Sequence, residues 1–86
     1  MAQCDKLLRR AQNNPKGVRF ADLLKLVKCF GFVFDHQTGS HHIYRHPLYR
    51  RQVNIQPDRN NMAKPYQVKQ VLAEIRTVQQ LDQEQS

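Results

Sequence analysis

Apolar positions along the chain fall into helical stripes interrupted once by strand-like alternation. Cys4, Leu7, Leu8 and Ala11 share one helical face, which predicts a short amphipathic helix over residues 3–13. Asn13-Asn14-Pro15-Lys16-Gly17 breaks it, because asparagines favour turns and Pro15 cannot continue the ladder. Phe20, Leu23, Leu24, Val27 and Phe30 form a second stripe, with Asp22 suited to a first turn and Lys25 and Lys28 to a last one. Gly31 stands where a left-handed residue would end that helix. The pattern then changes period. Phe32-Val33-Phe34, His41 to Arg45 and Gln52 to Gln56 predict three strands, with a turn at Gln37-Thr38-Gly39 and Pro47 ending the second strand. Two hairpins joining them imply an antiparallel sheet. Asp58-Arg59-Asn60-Asn61 is a loop, and Pro65 suits the first turn of a last helix striped by Val68, Val71, Leu72, Ile75 and Val78. The Gln-rich stretch from Gln79 to Ser86 is expected to fray.

The order helix, helix, three strands, helix predicts an α+β fold, with the helices covering one face of a three-stranded antiparallel sheet. That arrangement is similar to a double-stranded RNA-binding domain carrying an extra N-terminal helix. No repeat or long linker divides the 86 residues, so one domain over 1–86 is expected. A chain this short buries only roughly 60% of its unfolded surface, which directs function to a surface or shallow groove.

Charge narrows the class of partner. Fourteen Lys and Arg against seven Asp and Glu give a net charge of +7, which suits a polyanion unless it serves solubility alone. No apolar run approaches the ~20 residues that span a bilayer, and Met1-Ala2-Gln3-Cys4-Asp5 does not read as a signal peptide. A cytoplasmic location follows as the expectation, with Cys4 and Cys29 as two reduced thiols.

The charge is concentrated. Arg45, Arg50, Arg51, Arg59, Lys64 and Lys69 face one acid, Asp58, within residues 41–69. These residues predict a basic face, and Lys64 just before Pro65 is placed to hold a phosphate at a helix start. His36, His41, His42 and His46 cluster in the same part of the chain. Zinc binding is disfavoured because adjacent His41 and His42 point to opposite sides of a strand. Ordinary surface histidine and general acid–base catalysis both remain open on the residues alone.

Gly39-Ser40-His41-His42-Ile43-Tyr44 resembles the Gly-Ser-His-x-x-Tyr strand of HicA family toxins. The flanks extend the likeness: Arg19-Phe20-Ala21-Asp22-Leu23-Leu24 through Phe30-Gly31-Phe32, then Asn54-Ile55-Gln56-Pro57 and Ala63-Lys64-Pro65-Tyr66-Gln67-Val68. It covers residues 18–80, leaving an additional helix and turn over 1–17 and a polar tail over 81–86. The resemblance implies a toxin ribonuclease cleaving messenger RNA, neutralised by a cognate HicB-like antitoxin that covers its active surface. It also implies that His41 is the catalytic histidine, while His42 falls at a variable position.

Elementary chemistry supplies a mechanism of the same kind. RNA carries its own nucleophile, the 2′-hydroxyl, so one proton acceptor and a positive clamp suffice to start. His41 would take the 2′ proton or protonate the leaving oxygen, and Arg45, Arg50, Arg51, Arg59 and Lys64 would hold phosphate. Gly39 would let the backbone approach the substrate or would merely turn the chain. Ser40 would donate to phosphate or to His41, or satisfy a local backbone group. No metal or cofactor is called for, and the second acid–base group is open among His46, Lys64 and a water. The alternatives are a non-catalytic RNA-binding module of the same fold and an interaction protein whose basic surface binds an acidic partner.

Overall fold

The computed structural model describes residues 2–85. Helix α1 spans Ala2–Asn13, followed by a single 3-10 turn at Pro15–Gly17 and by α2 at Phe20–Cys29. Strands β1 (Val33–Thr38), β2 (His41–Arg45) and β3 (Gln52–Ile55) form an antiparallel sheet in the order β1-β2-β3, and α3 covers Pro65–Gln85. The α+β class and the order of elements are those expected from the apolar pattern.

Helix α2 ends as its sequence predicts. Gly31 takes φ +94, Phe32 N–H donates to the Val27 carbonyl at 3.1 Å and Gly31 N–H to the Lys28 carbonyl at 3.2 Å. This is the Schellman pattern, which occupies carbonyls the helix would otherwise leave bare. Gly31 is also required for packing, since a Cβ there would sit 2.6 Å from His46 Nε2.

The helices cover one side of the sheet. Tyr44, Val53 and Ile55 enter a continuous core with Phe20, Leu23, Leu26, Val27 and Phe32 from the α2 region and Val68, Val71, Ile75 and Val78 from α3. Register explains which strand residues turn inward. His42 pairs with Ile55 and Tyr44 with Val53, so these four share the helix side. His41, Ile43, Arg45, Gln52 and Asn54 therefore share the other side, which no helix covers.

Three expectations need correction. Strand β1 runs to Thr38 rather than stopping at Phe34, because the polar residues 35–38 are recruited by pairing with β2. Helix α3 continues to Gln85; its last turns are held by a bond from the Tyr49 hydroxyl to Asp82 on the exposed side and by the half-buried Leu81, so the stretch expected to fray is helical as far as it is described. Cys4 and Cys29 are joined in a disulfide with a Cα–Cα separation of 5.8 Å, not two free thiols. The antiparallel packing of α1 on α2 brings residues 25 apart in sequence within bonding reach. Among the described residues, no helix is long and apolar enough to cross a membrane.

Candidate functional site

His41, Arg45 and Asn54 share the open side of the sheet, and a tight hairpin leads the chain into the strand that carries the first two. Thr38 pairs with His41 across a two-residue loop, Gly39-Ser40. Gly39 has φ +59 while Ser40 is not in the left-handed region, the pattern of a type II′ turn, which requires a positive φ at its first central residue. Nothing lies within 4 Å of where a Gly39 Cβ would be, so the outer edge of the turn is accessible. The Ser40 carbonyl accepts a bond from His42 Nδ1 at 3.0 Å.

The neighbouring histidines part company at this hairpin. His42 turns toward the helices, half-buried, with its ring edge-on to Phe20 at a centroid distance of 5.0 Å. His41 stays exposed on the open side, its Nδ1 3.0 Å from Asn54 Oδ1 of β3. Since an amide oxygen can only accept, Nδ1 is the donor in this bond, and Nε2 is the nitrogen left for other partners.

A bulge in β1 builds the rest of the face. The register slips between Phe34 and His36, so Asp35 and His36 together oppose Ile43. Both side chains consequently reach the open side. His36 Nδ1 lies 2.7 Å from Asp35 Oδ2, and Arg45 Nε donates to Asp35 Oδ1 at 3.0 Å. The His36 bond and then the Arg45 bond hold the Asp35 carboxyl below its ordinary pKa. Ile43 is 7% exposed yet stands outside the main core. It is an apolar floor beneath the polar side chains of this face.

The basic residues divide. Arg50 and Arg59 are exposed and Lys64 is half-buried directly before α3. The 57–63 segment that carries Arg59 is stitched down: Asp58 Oδ1 accepts from Asn60 and Met62 N–H, and Ala63 N–H donates to the Val18 carbonyl at 2.8 Å. Arg51 instead forms a two-bond fork on Glu74 of α3, at 2.7 and 2.9 Å, which raises the Arg51 pKa. Its charge is thus locally offset, whereas Arg45 shares Asp35 but remains 56% exposed.

His46 is a core residue. It is 6% exposed, edge-on to Phe32 at 5.3 Å and stacked on Tyr49 at 4.8 Å, and its Nδ1 accepts the Leu48 N–H at 3.2 Å. That environment removes it from the candidates for a second acid–base group. The sequence placed His36 in the histidine cluster without a particular role and gave none to Asp35 or Asn54, because their convergence depends on strand register.

These features define a basic α+β domain with a histidine-bearing open sheet. A family model described as the HicA toxin of bacterial toxin–antitoxin systems matches residues 20–76. The chain belongs to the HicA toxin family, whose members are generally ribonucleases. Comparison with curated proteins and with solved structures returns no match.

Proposed function

We propose that this protein is a toxin endoribonuclease that cleaves messenger RNA on the open side of its sheet, with His41 moving the proton and a cognate HicB-like antitoxin covering the same surface. The observation carrying this reading is the His41–Asn54 pair. It engages Nδ1 and leaves Nε2 for substrate beside an accessible glycine turn. A free Nε2 can accept the 2′-hydroxyl proton as that oxygen attacks the adjacent phosphorus.

Phosphate binding falls to Arg45, Arg50, Arg59 and Lys64, with the backbone of Gly39 and Ser40 at the rim, while Arg51 contributes chiefly through the Glu74 fork. Lys64 precedes α3 and stands at a helix start, where the macrodipole favours anions. The α-β-β-β-α core supports a double-stranded RNA-binding-domain-like arrangement put to catalytic use. A messenger RNA substrate implies that the working protein acts in the cytoplasm.

The deciding experiment is cleavage of RNA by the purified chain and its single-histidine variants. His41→Ala is expected to fold, to bind RNA and antitoxin, and to lose roughly two to four decades of cleavage and with it growth arrest. His42→Ala should keep most activity, because its ring faces Phe20 on the far side of the strand. Undiminished cleavage by folded His41→Ala would leave the RNA-binding-module reading in its place.

A further inference from the structure

One imidazole can start phosphodiester cleavage but does not by itself protonate the leaving oxygen. The strand register supplies a second imidazole on the same side. Thr38 pairs with His41 and His36 with Ile43, so His36 stands two residues along β1 from the partner of His41 and on the same face. Such diagonal neighbours on adjacent strands have backbones roughly 7–8 Å apart, close enough for one phosphodiester to be reached from both side chains. The bulge at Asp35 keeps His36 on this face and gives it a carboxylate on Nδ1. Its side chain is 58% exposed, and Nε2 is the nitrogen left for substrate.

The two rings are held by partners of different charge. His41 donates Nδ1–H to a neutral amide, Asn54, while His36 donates Nδ1–H to a carboxylate, Asp35. A carboxylate balances the positive charge of an imidazolium and a neutral amide does not. Of the two rings, only His36 has a carboxylate among the described residues in contact with it, to offset the charge of an imidazolium donor.

We propose that His36 is the second catalytic residue of this ribonuclease, the general acid opposite His41 as general base; this rests on the ribonuclease reading above. His41 Nε2 takes the proton from the 2′-hydroxyl, and the 2′ oxygen forms a bond to phosphorus. The bond from phosphorus to the 5′ oxygen breaks, and that oxygen takes the proton from His36 Nε2. The products are a 2′,3′-cyclic phosphate and a 5′-hydroxyl, and the two histidines have exchanged protonation states. Asp35 orients His36 and is a positioning residue. The titratable or charged groups facing His36 are Asp35 on its own strand and Arg45 and His41 from β2; β3 presents Gln52 and Asn54, which do not titrate.

The test compares two substrates with the purified full chain: an RNA oligonucleotide, and a ribonucleoside 3′-(4-nitrophenyl phosphate) whose leaving group needs no proton. His36→Gln should cut RNA at least about a hundredfold more slowly and the aryl ester less than about tenfold more slowly, while His41→Gln should slow both. The wild-type rate on RNA should fall at high pH as the acid loses its proton, and this limb should be absent with the aryl ester. RNA cleavage by His36→Gln at the wild-type rate, or an equal loss on both substrates, would overturn the assignment. A wild type inert toward both substrates would bring down the ribonuclease reading itself, an outcome distinct from a wild type that cleaves with His36 dispensable. Should His36→Gln not fold, the presence or absence of the alkaline limb in the wild type decides.

Discussion

Asn54 of β3 accepts a hydrogen bond from Nδ1 of His41 on β2, 3.0 Å away, and this one bond sets which nitrogen of the ring meets substrate. Asn54→Ala should therefore lower kcat about tenfold, the worth of roughly 1.4 kcal/mol from the missing orienting bond, with little change in KM. Asn54→Asp should instead move the low-pH limb of the rate profile upward, because the new carboxylate favours the protonated ring. A variant with altered KM and an unmoved pH profile would mean that Asn54 serves only the fold.

Arg51 and Lys64 are both basic, but their surroundings predict different behaviour toward RNA. Replacing Lys64 with Ala should flatten the log–log dependence of RNA affinity on salt by about 0.7 to 0.9 for each phosphate that Lys64 neutralises. Arg51→Ala should change that slope much less and should lower stability by up to ~1 kcal/mol, because its fork on Glu74 is only partly shielded from solvent. Filter binding across a salt series, paired with urea denaturation, separates the two effects.

The disulfide acts on stability rather than on the open face. Cys4–Cys29 closes a loop 25 residues apart, for which the chain-entropy treatment gives about 3.5 kcal/mol. Reduction, or Cys4→Ser with Cys29→Ser, should lower Tm while leaving the RNA cleavage rate below the melting transition within about twofold, as expected for a change remote from the reacting groups. Cleavage that rises or falls in step with reduction would connect α1 to catalysis.

Asp35 should leave a pH signature in stability. Its folded pKa is depressed by His36 and Arg45, so its contribution is present above the unfolded carboxylate pKa and is lost as pH falls through the folded value. Denaturation midpoints should decline through the acid range, and Asp35→Asn should make that decline shallower. An unchanged acid profile in Asp35→Asn would show that the bonds to His36 and Arg45 carry no net stabilisation.

Antitoxin binding is expected to protect the segment from Gly39 to Arg51 in hydrogen–deuterium exchange, because masking His41 requires occupying the hairpin and the open side of β2. Protection confined to α1 would instead indicate inhibition at a distance from the RNA path.

Much of this molecule is legible in short stretches of its chain. The stripe from Phe20 to Phe30, the cap at Gly31, the stripe from Val68 to Val78 and the alternation in β2 and β3 follow from apolar periods and local backbone preference, which act over a few neighbouring residues. The Gly-Ser-His motif singles out His41 and places His42 on the other side of the strand for the same local reason. The end of β1 is less legible: Asp35-His36-Gln37-Thr38 is polar and exposed, and only pairing with β2 makes it a strand. Cross-strand register, which no local pattern carries, brings Asn54 diagonally within reach of His41 and the bulged Asp35 within reach of Arg45. Packing consigns His46 to the core beside Phe32, fastens Arg51 to Glu74 and brings Cys4 to Cys29. Residue order alone dictates which elements form and which way a strand residue points. Which charges remain free and which side chains meet is settled only on folding, because both depend on distances between residues far apart in the chain.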